Sequence, residues 1–138
     1  MADTMQFDLV SPERSLASMA ATAVRLPGSE GDMTAMPDHA PVITTLRPGV
    51  VRVSSPEGDA EYMVSGGFAE ITATGTSVLA ERALPVSEVT SDILDEIMAE
   101  TTRAKQQAEG EELDMLSKVE AELFALGDEL GVTVKGIA

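Results

Sequence analysis

The feature that most constrains the fold of this chain is the uneven distribution of its prolines. All seven lie between Pro12 and Pro85, and seven of the eleven glycines also precede residue 86. Proline lacks the backbone N–H that helices need and breaks them where it falls inside. A proline-rich tract followed by a proline-free one therefore indicates a change of secondary structure. We expect two domains, residues 1–85 and residues 86–138.

The first domain has the pattern of short β-strands. Apolar residues alternate with polar ones in five runs, which would place one side of each strand on a common core. The alternating residues are Met5, Phe7 and Leu9; Val51 and Val53; Tyr62 and Val64; Ile71 and Ala73; and Val78 and Ala80. Turn-forming tracts separate the runs at 27–31, 47–49, 55–59, 65–67 and 73–75. Short strands at this spacing predict an all-β sandwich or barrel.

After Pro85 the apolar spacing becomes helical. Ser87 or Thr90 is a suitable N-cap for a first helix, and the tract around Gly110 indicates a turn. Two amphipathic helices joined by a short turn predict an antiparallel α-helical hairpin. Its predicted apolar face consists of Val89, Ile93, Ile97, Leu116, Val119, Leu123 and Leu126. We expect Gly127 and Gly131 to weaken the end of the second helix by about 1 kcal/mol each.

The composition excludes several classes of function. Nine Lys and Arg against 24 Asp and Glu give a net charge of −15, which disfavours nucleic acids and anionic membrane surfaces and favours partners with basic patches. The chain has no cysteine, so disulfides and thiolate chemistry are excluded. No run approaches the 18 or so apolar residues of a membrane span. The N-terminal stretch lacks the basic and apolar regions of a signal peptide.

No catalytic or metal-binding pattern emerges from the sequence. His39 is the only histidine, and neither a nucleophile elbow nor cysteine ligands accompany it, so we expect no enzyme site, metal or cofactor. A hydrolase that uses His39 is the least favoured interpretation. The tract GSEG at 28–31 lacks the Gly-Lys-Ser/Thr of a phosphate-binding loop. We expect it to form a tight turn that presents the carboxylates of Glu30 and Asp32 outward.

The tract from residue 28 to residue 49 resembles the N-terminal domain of the epsilon subunit of F-type ATP synthases. The resemblance rests on Gly28, Ser29, Glu30, Gly31, Pro37, His39, Ala40, Pro41, Thr45, Pro48 and Gly49. The opening FDLVSPER, SGGFAEI at 65–71 and VLAERA at 78–83 are similar to the same family in the same order. The resemblance extends through residue 84, and the helical half matches only in architecture. It implies a β-sandwich followed by a helical hairpin.

By this resemblance the chain is a non-catalytic rotor subunit of the central stalk. It would bind the gamma subunit and the membrane rotor ring, and so couple proton-driven rotation to ATP synthesis. The resemblance implies a peripheral location at the cytoplasmic face of the inner (plasma) membrane. The implied ring-contacting residues are Ser29, Glu30, Gly31 and Asp32. The implied gamma-contacting residues are His39, Ala40 and Pro41.

The helical half departs from the family at its nucleotide motif. Many family members bind ATP through I/L-D-x-x-R-A, but here Thr90 stands at the aspartate position and Ile93 at the arginine position. The resemblance therefore implies little ATP sensing. In the family's inhibitory mode the C-terminal helices extend to an acidic segment of the beta subunits. Residues 86–138 carry thirteen acids and four bases, so this contact would be electrostatically unfavourable, and we expect the hairpin to inhibit hydrolysis weakly. The alternative is a nucleotide-sensing regulatory module whose hairpin opens to inhibit ATPase activity.

Overall fold

The computed structural model describes residues 3–135 and divides the chain into two compact units, Met1–Val86 and Ser87–Ala138. The first unit is built from strands and the second from helices, as the proline distribution predicts. Its strands are β1 (Met5–Val10), β2 (Ser15–Ala21), β3 (Ala23–Gly28), β4 (Gly31–Ala35), β5 (Val42–Leu46), β6 (Gly49–Ser54), β7 (Ala60–Val64), β8 (Gly67–Ile71), β9 (Gly75–Ala80) and β10 (Ala83–Pro85). A short 3₁₀ turn, Val86–Glu88, follows.

The strands form one hydrogen-bonded path in the order β10-β7-β6-β3-β5-β8-β9-β1-β2, with β4 paired to β3. At the middle of this path β3 and β5 share a single residue pair, Gly28 with Leu46. A junction this narrow lets the sheet fold over, so that two layers face each other across one core. The core residues include Phe7, Leu9, Val24, Leu26, Val51, Val53, Val64, Ile71 and Val78. The predicted β-sandwich is confirmed.

The predicted inward-facing residues are buried with one exception. Ile71 is buried, but Ala73 is exposed and lies in the turn between β8 and β9. The hydroxyl oxygen of Thr72 accepts the N–H groups of Thr74 and Gly75, at 3.3 and 3.2 Å. This side-chain bonding closes the turn and ends β8 at Ile71.

The second unit contains two helices, α1 (Ser91–Gln106) and α2 (Gly110–Leu130). Thr90 is the N-cap of α1, and its hydroxyl accepts the Ile93 N–H at 3.3 Å, as predicted. Val89 therefore lies just before the helix. The buried residues of the two helices are Leu94, Ile97 and Met98 in α1 and Leu123, Leu126 and Gly127 in α2.

The end of α2 differs from the sequence prediction. Gly131 adopts a left-handed conformation with φ of 68°, which glycine reaches without steric cost. The Gly131 N–H bonds to the Asp128 carbonyl and the Val132 N–H to the Gly127 carbonyl, at 3.2 and 2.8 Å. These two bonds satisfy carbonyls that a helix end leaves open. Gly131 is thus a helix cap, and the expected weakening there is wrong.

A polar clamp joins the two helices. Glu120 of α2 accepts hydrogen bonds from Thr102 and Lys105 of α1 through its two carboxylate oxygens, each at 2.8 Å. The Glu120 side chain is only 19% exposed. The Lys105 ammonium, followed by the Thr102 hydroxyl, lowers the pKa of Glu120 below its ordinary value of 4.5. The clamp thus links the helices through an ionised carboxylate.

We predict that Glu120→Gln lowers the free energy of unfolding of the helical unit by about 1 kcal/mol. Because the clamp lowers the Glu120 pKa, its contribution is present at neutral pH and is lost as the pH falls below 4.5 through the lowered pKa of the folded state. Urea unfolding followed by far-UV circular dichroism at several pH values measures this. Asp114→Asn, at an exposed carboxylate of α2, is the control and should change little. Equal stability of wild type and Glu120→Gln at neutral pH would contradict the prediction.

Candidate docking surface

The predicted turn at 28–31 is a tight hairpin between β3 and β4. Gly28 pairs with Gly31, so Ser29 and Glu30 alone make the connection. A Cβ on Gly28 would lie 2.5 Å from the Gly31 carbonyl oxygen, which leaves room only for glycine. The Ser29 N–H bonds to the Thr45 carbonyl at 2.9 Å, and the two hydroxyls lie 2.6 Å apart. The rim turn, residues 28–32, is therefore attached firmly to β5.

Asp32 is held by two arginines and does not project as a free carboxylate. Its oxygens lie 2.8 Å from the Arg25 guanidinium and 2.5 Å from that of Arg47. Arg47 also donates to the Gly28 carbonyl at 2.5 Å. These bonds, that from Arg47 above all, lower the pKa of Asp32 below its ordinary value of 3.8. Asp32 and Glu30 are both exposed, as predicted, but the Asp32 carboxylate, 41% exposed, is bound in these ion pairs.

The predicted gamma-contacting residues lie at the other end of β5. The His39 N–H donates to the Met36 carbonyl at 3.2 Å in a tight turn, and Nδ1 of His39 lies 2.6 Å from the Ala40 carbonyl oxygen. Ala40 and Pro41 are exposed and lead directly into β5. Five strand residues separate this edge from the rim turn, about 16 Å at 3.3 Å per residue. The two predicted contact regions therefore do not form one cluster.

An apolar stripe that the sequence analysis missed connects these two regions. It lies on the outer face of β5, β8, β9 and β1, where Thr45 pairs with Phe68, Phe68 with Leu79 and Leu79 with Val10. Ile43 lies two residues before Thr45 on the same face. We call the apolar residues Val10, Ile43, Phe68 and Leu79 the outer stripe; they are 36%, 70%, 48% and 49% exposed. The solvated face of a sandwich is normally polar, so this stripe indicates a docking surface.

The outer stripe and the rim turn form a continuous surface. Thr45 pairs with Phe68 in the sheet and contacts Ser29 of the rim turn through both backbone and hydroxyl. Ile43 lies in the row next to that of Phe68, Leu79 and Val10. Its row continues through Glu70 and Ser77 to Asp8, so the acidic Glu70 and Asp8 border the outer stripe. A partner that fits this face would present an apolar surface bordered by basic or hydroxyl groups.

The predicted apolar face of the hairpin is covered to a large extent. Val89, Ile97, Leu123 and Leu126 are buried, while Ile93, Leu116 and Val119 are half-buried. The exposed sides of the helices are predominantly acidic, including Asp92, Glu96, Glu111, Glu112 and Asp114. The helical unit therefore presents mainly charge to a partner, together with the exposed Met115 and Phe124 of α2, which are 58% and 46% exposed.

The part of the chain that the structure describes offers no metal centre. Residues 3–135 contain no group of three or more His, Asp or Glu side chains placed to hold a metal ion. Neither described helix combines the length and the apolar character that a membrane crossing requires.

We predict that Asp32→Asn lowers the stability of the β-sandwich by about 1 kcal/mol, because it removes the charge that two arginines share. For a domain of this size that is a fall of about 5 °C in Tm. Glu30→Gln, in the same turn, is the matched control and should leave Tm unchanged. Thermal unfolding followed by circular dichroism distinguishes the two variants. Equal Tm values for both would show that the arginine contacts contribute nothing.

Residues 4–86 match the family model of the ATP synthase Delta/Epsilon chain beta-sandwich domain. The ATP synthase epsilon chain of Ruegeria sp. (strain TM1040) is 56% identical over 137 residues, which cover 96% of this chain and 100% of that protein. The epsilon chain of Paracoccus denitrificans is 49% identical over 139 residues, covering 96% of this chain and 94% of the relative.

Two solved assemblies contain chains with a similar fold. In the Euglena gracilis mitochondrial ATP synthase, in an OSCP/F1/c-ring structure, the similar chain has a TM-score of 0.69 at 23% identity, over 94% of this chain and 82% of that one. In the central stalk/c-ring of the Tetrahymena thermophila mitochondrial ATP synthase, the TM-score is 0.62 at 14% identity, over 91% and 94%. At these identities the likeness shows a shared fold. The family match and the epsilon-chain relatives establish more: the chain belongs to the epsilon-chain family of the F-type ATP synthases.

Proposed function

We propose that this chain is a non-catalytic rotor subunit of the central stalk, which couples proton-driven ring rotation to ATP synthesis. The observation that carries this proposal is the continuous surface formed by the rigid rim turn and the outer stripe. One surface can thus contact two partners, one at the end of the sandwich and one on its side. The central stalk and c-ring named for the Tetrahymena assembly support this role. The corresponding location is peripheral, at the cytoplasmic face of the inner (plasma) membrane.

The gamma subunit is the partner proposed for the outer stripe. Half-exposed Phe68 and Leu79 lie next to each other, and an aromatic side chain beside an aliphatic one is typical of the centre of a protein interface. The predicted edge at His39, Ala40 and Pro41 leads through β5 to Ile43 and would border this contact. In this arrangement His39 acts as a contact residue, with its ring fixed by the Ala40 carbonyl.

The rotor ring is the partner proposed for the rim turn. Glu30, Gly31 and Asp32 are its exposed residues, and Ser29 is half-buried. Because Arg25 and Arg47 bind the Asp32 carboxylate, Glu30 carries the carboxylate of the turn that is not held in those ion pairs. Such a carboxylate on a rigid turn would set the register against basic groups of the ring loops.

The helical unit is proposed to stay folded as a hairpin, to inhibit hydrolysis weakly and to sense little ATP. Its exposed carboxylates disfavour contact with acidic segments of the alpha/beta subunits. The stretch that corresponds to the family's nucleotide motif is also engaged within the chain: Ser91 donates to the Thr133 carbonyl, and Asp95 accepts the Lys135 N–H at 2.8 Å. These contacts occupy polar groups at the start of α1.

We predict that Phe68→Ser weakens binding to the gamma subunit of the same source about 30-fold, which corresponds to about 2 kcal/mol at an interface centre. Phe124→Ser is the matched control, because Phe124 is 46% exposed on α2, close to the 48% of Phe68. Titration calorimetry with purified gamma measures both affinities. Unchanged affinity in Phe68→Ser would exclude the outer stripe as the gamma-binding face.

We predict that Glu30→Lys reduces ATP-driven proton pumping by the reconstituted complex and leaves its ATPase activity intact, because it reverses the charge that Glu30 presents on the rim turn. Glu57→Lys makes the same charge change in the exposed 55–59 turn and is the control. The two rates are measured together on vesicles, and the ratio of pumped protons to hydrolysed ATP should fall only in Glu30→Lys. Normal coupling in Glu30→Lys would exclude the rim turn from the ring contact.

A further inference from the structure

The segment that follows α2 returns along the helical hairpin. Residues 132–135 leave the Gly131 cap without regular secondary structure and reach the start of α1. The Ser91 hydroxyl donates to the Thr133 carbonyl. The Lys135 N–H donates to Oδ1 of Asp95 at 2.8 Å. The segment that directly follows α2 is thereby bonded to α1 at two points.

A glycine in α2 makes room for this segment. A Cβ on Gly127 would lie 2.6 Å from Cγ2 of Val134 and 2.7 Å from the Val132 carbonyl oxygen. Both distances are shorter than real Cβ contacts allow, and one of the two obstacles is backbone. Gly127 is a poor helix former in the last part of α2. The close approach of Val132 and Val134 gives a structural reason for glycine at this position.

Apolar burial within the hairpin is limited. Its fully or nearly fully buried apolar side chains number five across the two helices: Leu94, Ile97, Met98, Leu123 and Leu126. The Glu120 clamp lies toward the turn that joins the helices, whereas the contacts of residues 132–135 lie at the other end, where the helices would separate first. Opening the hairpin requires the bonds at Ser91 and Asp95 to break.

We propose that residues 132–135 form a C-terminal latch that holds the helical hairpin closed, and that release of this latch precedes any opening of the hairpin. The latch acts by tying the end of α2 to the start of α1. The latch packs against α2 at Gly127, and Ser91 and Asp95 are its attachment points on α1. A factor that draws residues 132–135 away would free both helices together.

The direct test is amide hydrogen exchange on two shortened chains. One ends at Gly131 and lacks the latch; the other ends at Lys135 and keeps it. Loss of the latch should speed exchange in α1 and α2 about tenfold, while the β-sandwich strands of the same molecule serve as the reference. The chain that ends at Lys135 should exchange like the full-length protein. Equal helix exchange rates in the two shortened chains would overturn the proposal.

Gly127→Ala provides a second test, because the direction in which it changes the rate of helix exchange depends on whether the latch is present. Alanine favours helix over glycine, so a change that acted only on α2 would slow exchange in both the full-length chain and the chain that ends at Gly131. The latch predicts faster helix exchange in the full-length variant, because the new Cβ displaces Val134, and slower exchange in the shortened one. Slower exchange in both backgrounds would overturn the proposal.

Two aspartates near the start of α1 allow a matched comparison, because only one of them contacts the latch. Asp95 accepts the Lys135 N–H, whereas Asp92 is exposed in the first turn of the same helix. Asp95→Ala should speed α1 exchange several-fold more than Asp92→Ala. Equal effects of the two substitutions would show that the Asp95 bond does not hold the latch.

Discussion

The single residue pair between Gly28 and Leu46 is the constraint on which the sandwich depends. Because β3 and β5 share no further pair, the sheet can fold over at this point and bring two layers onto one core. The same point fixes the rim turn, since Gly28 begins the turn and Thr45 precedes Leu46. Ser29 then bonds to Thr45. The fold and the end surface that we propose to contact the ring are therefore set by the same few backbone contacts.

The charge at the rim-turn end of the sandwich is set by the ion pairs of Asp32 and not by the net charge of the chain. The chain as a whole carries −15, yet at the rim turn two arginines face Asp32, leaving Glu30 as the acid outside these ion pairs. A surface that docks on another protein gains register from one placed charge more readily than from a diffuse acidic field. The broader negative charge of the chain acts at longer range, where salt screens it.

The sequence predicted the architecture well and the surface in part. Alternation identified β1, β6, β7, β8 and β9 but not β2, β3, β4, β5 and β10. The tract of β2, SLASMAA, is rich in Ala and Ser, which have little preference for strands. The ion pairs of Asp32 could not be predicted because Arg25 comes from the neighbouring strand β3 and Arg47 from the connection between β5 and β6. The outer stripe was partly predictable: Leu79 lies between the inward-facing Val78 and Ala80. What was missing was the strand register, which aligns Leu79 with Phe68 and Val10.

The two units are stabilised in different ways, and this bears on which of them can change conformation. The sandwich buries a large apolar core shared by nearly all its strands, so separating its layers would expose that core to water. The hairpin has a narrow apolar seam, supplemented by the Glu120 clamp and the bonds of Ser91 and Asp95. Hydrogen bonds and ion pairs near the surface exchange with water at small net cost. Local opening takes place where apolar burial is smallest. The helical unit is therefore the part of this subunit in which a conformational change is energetically accessible, and the sandwich is the part that keeps its surface fixed.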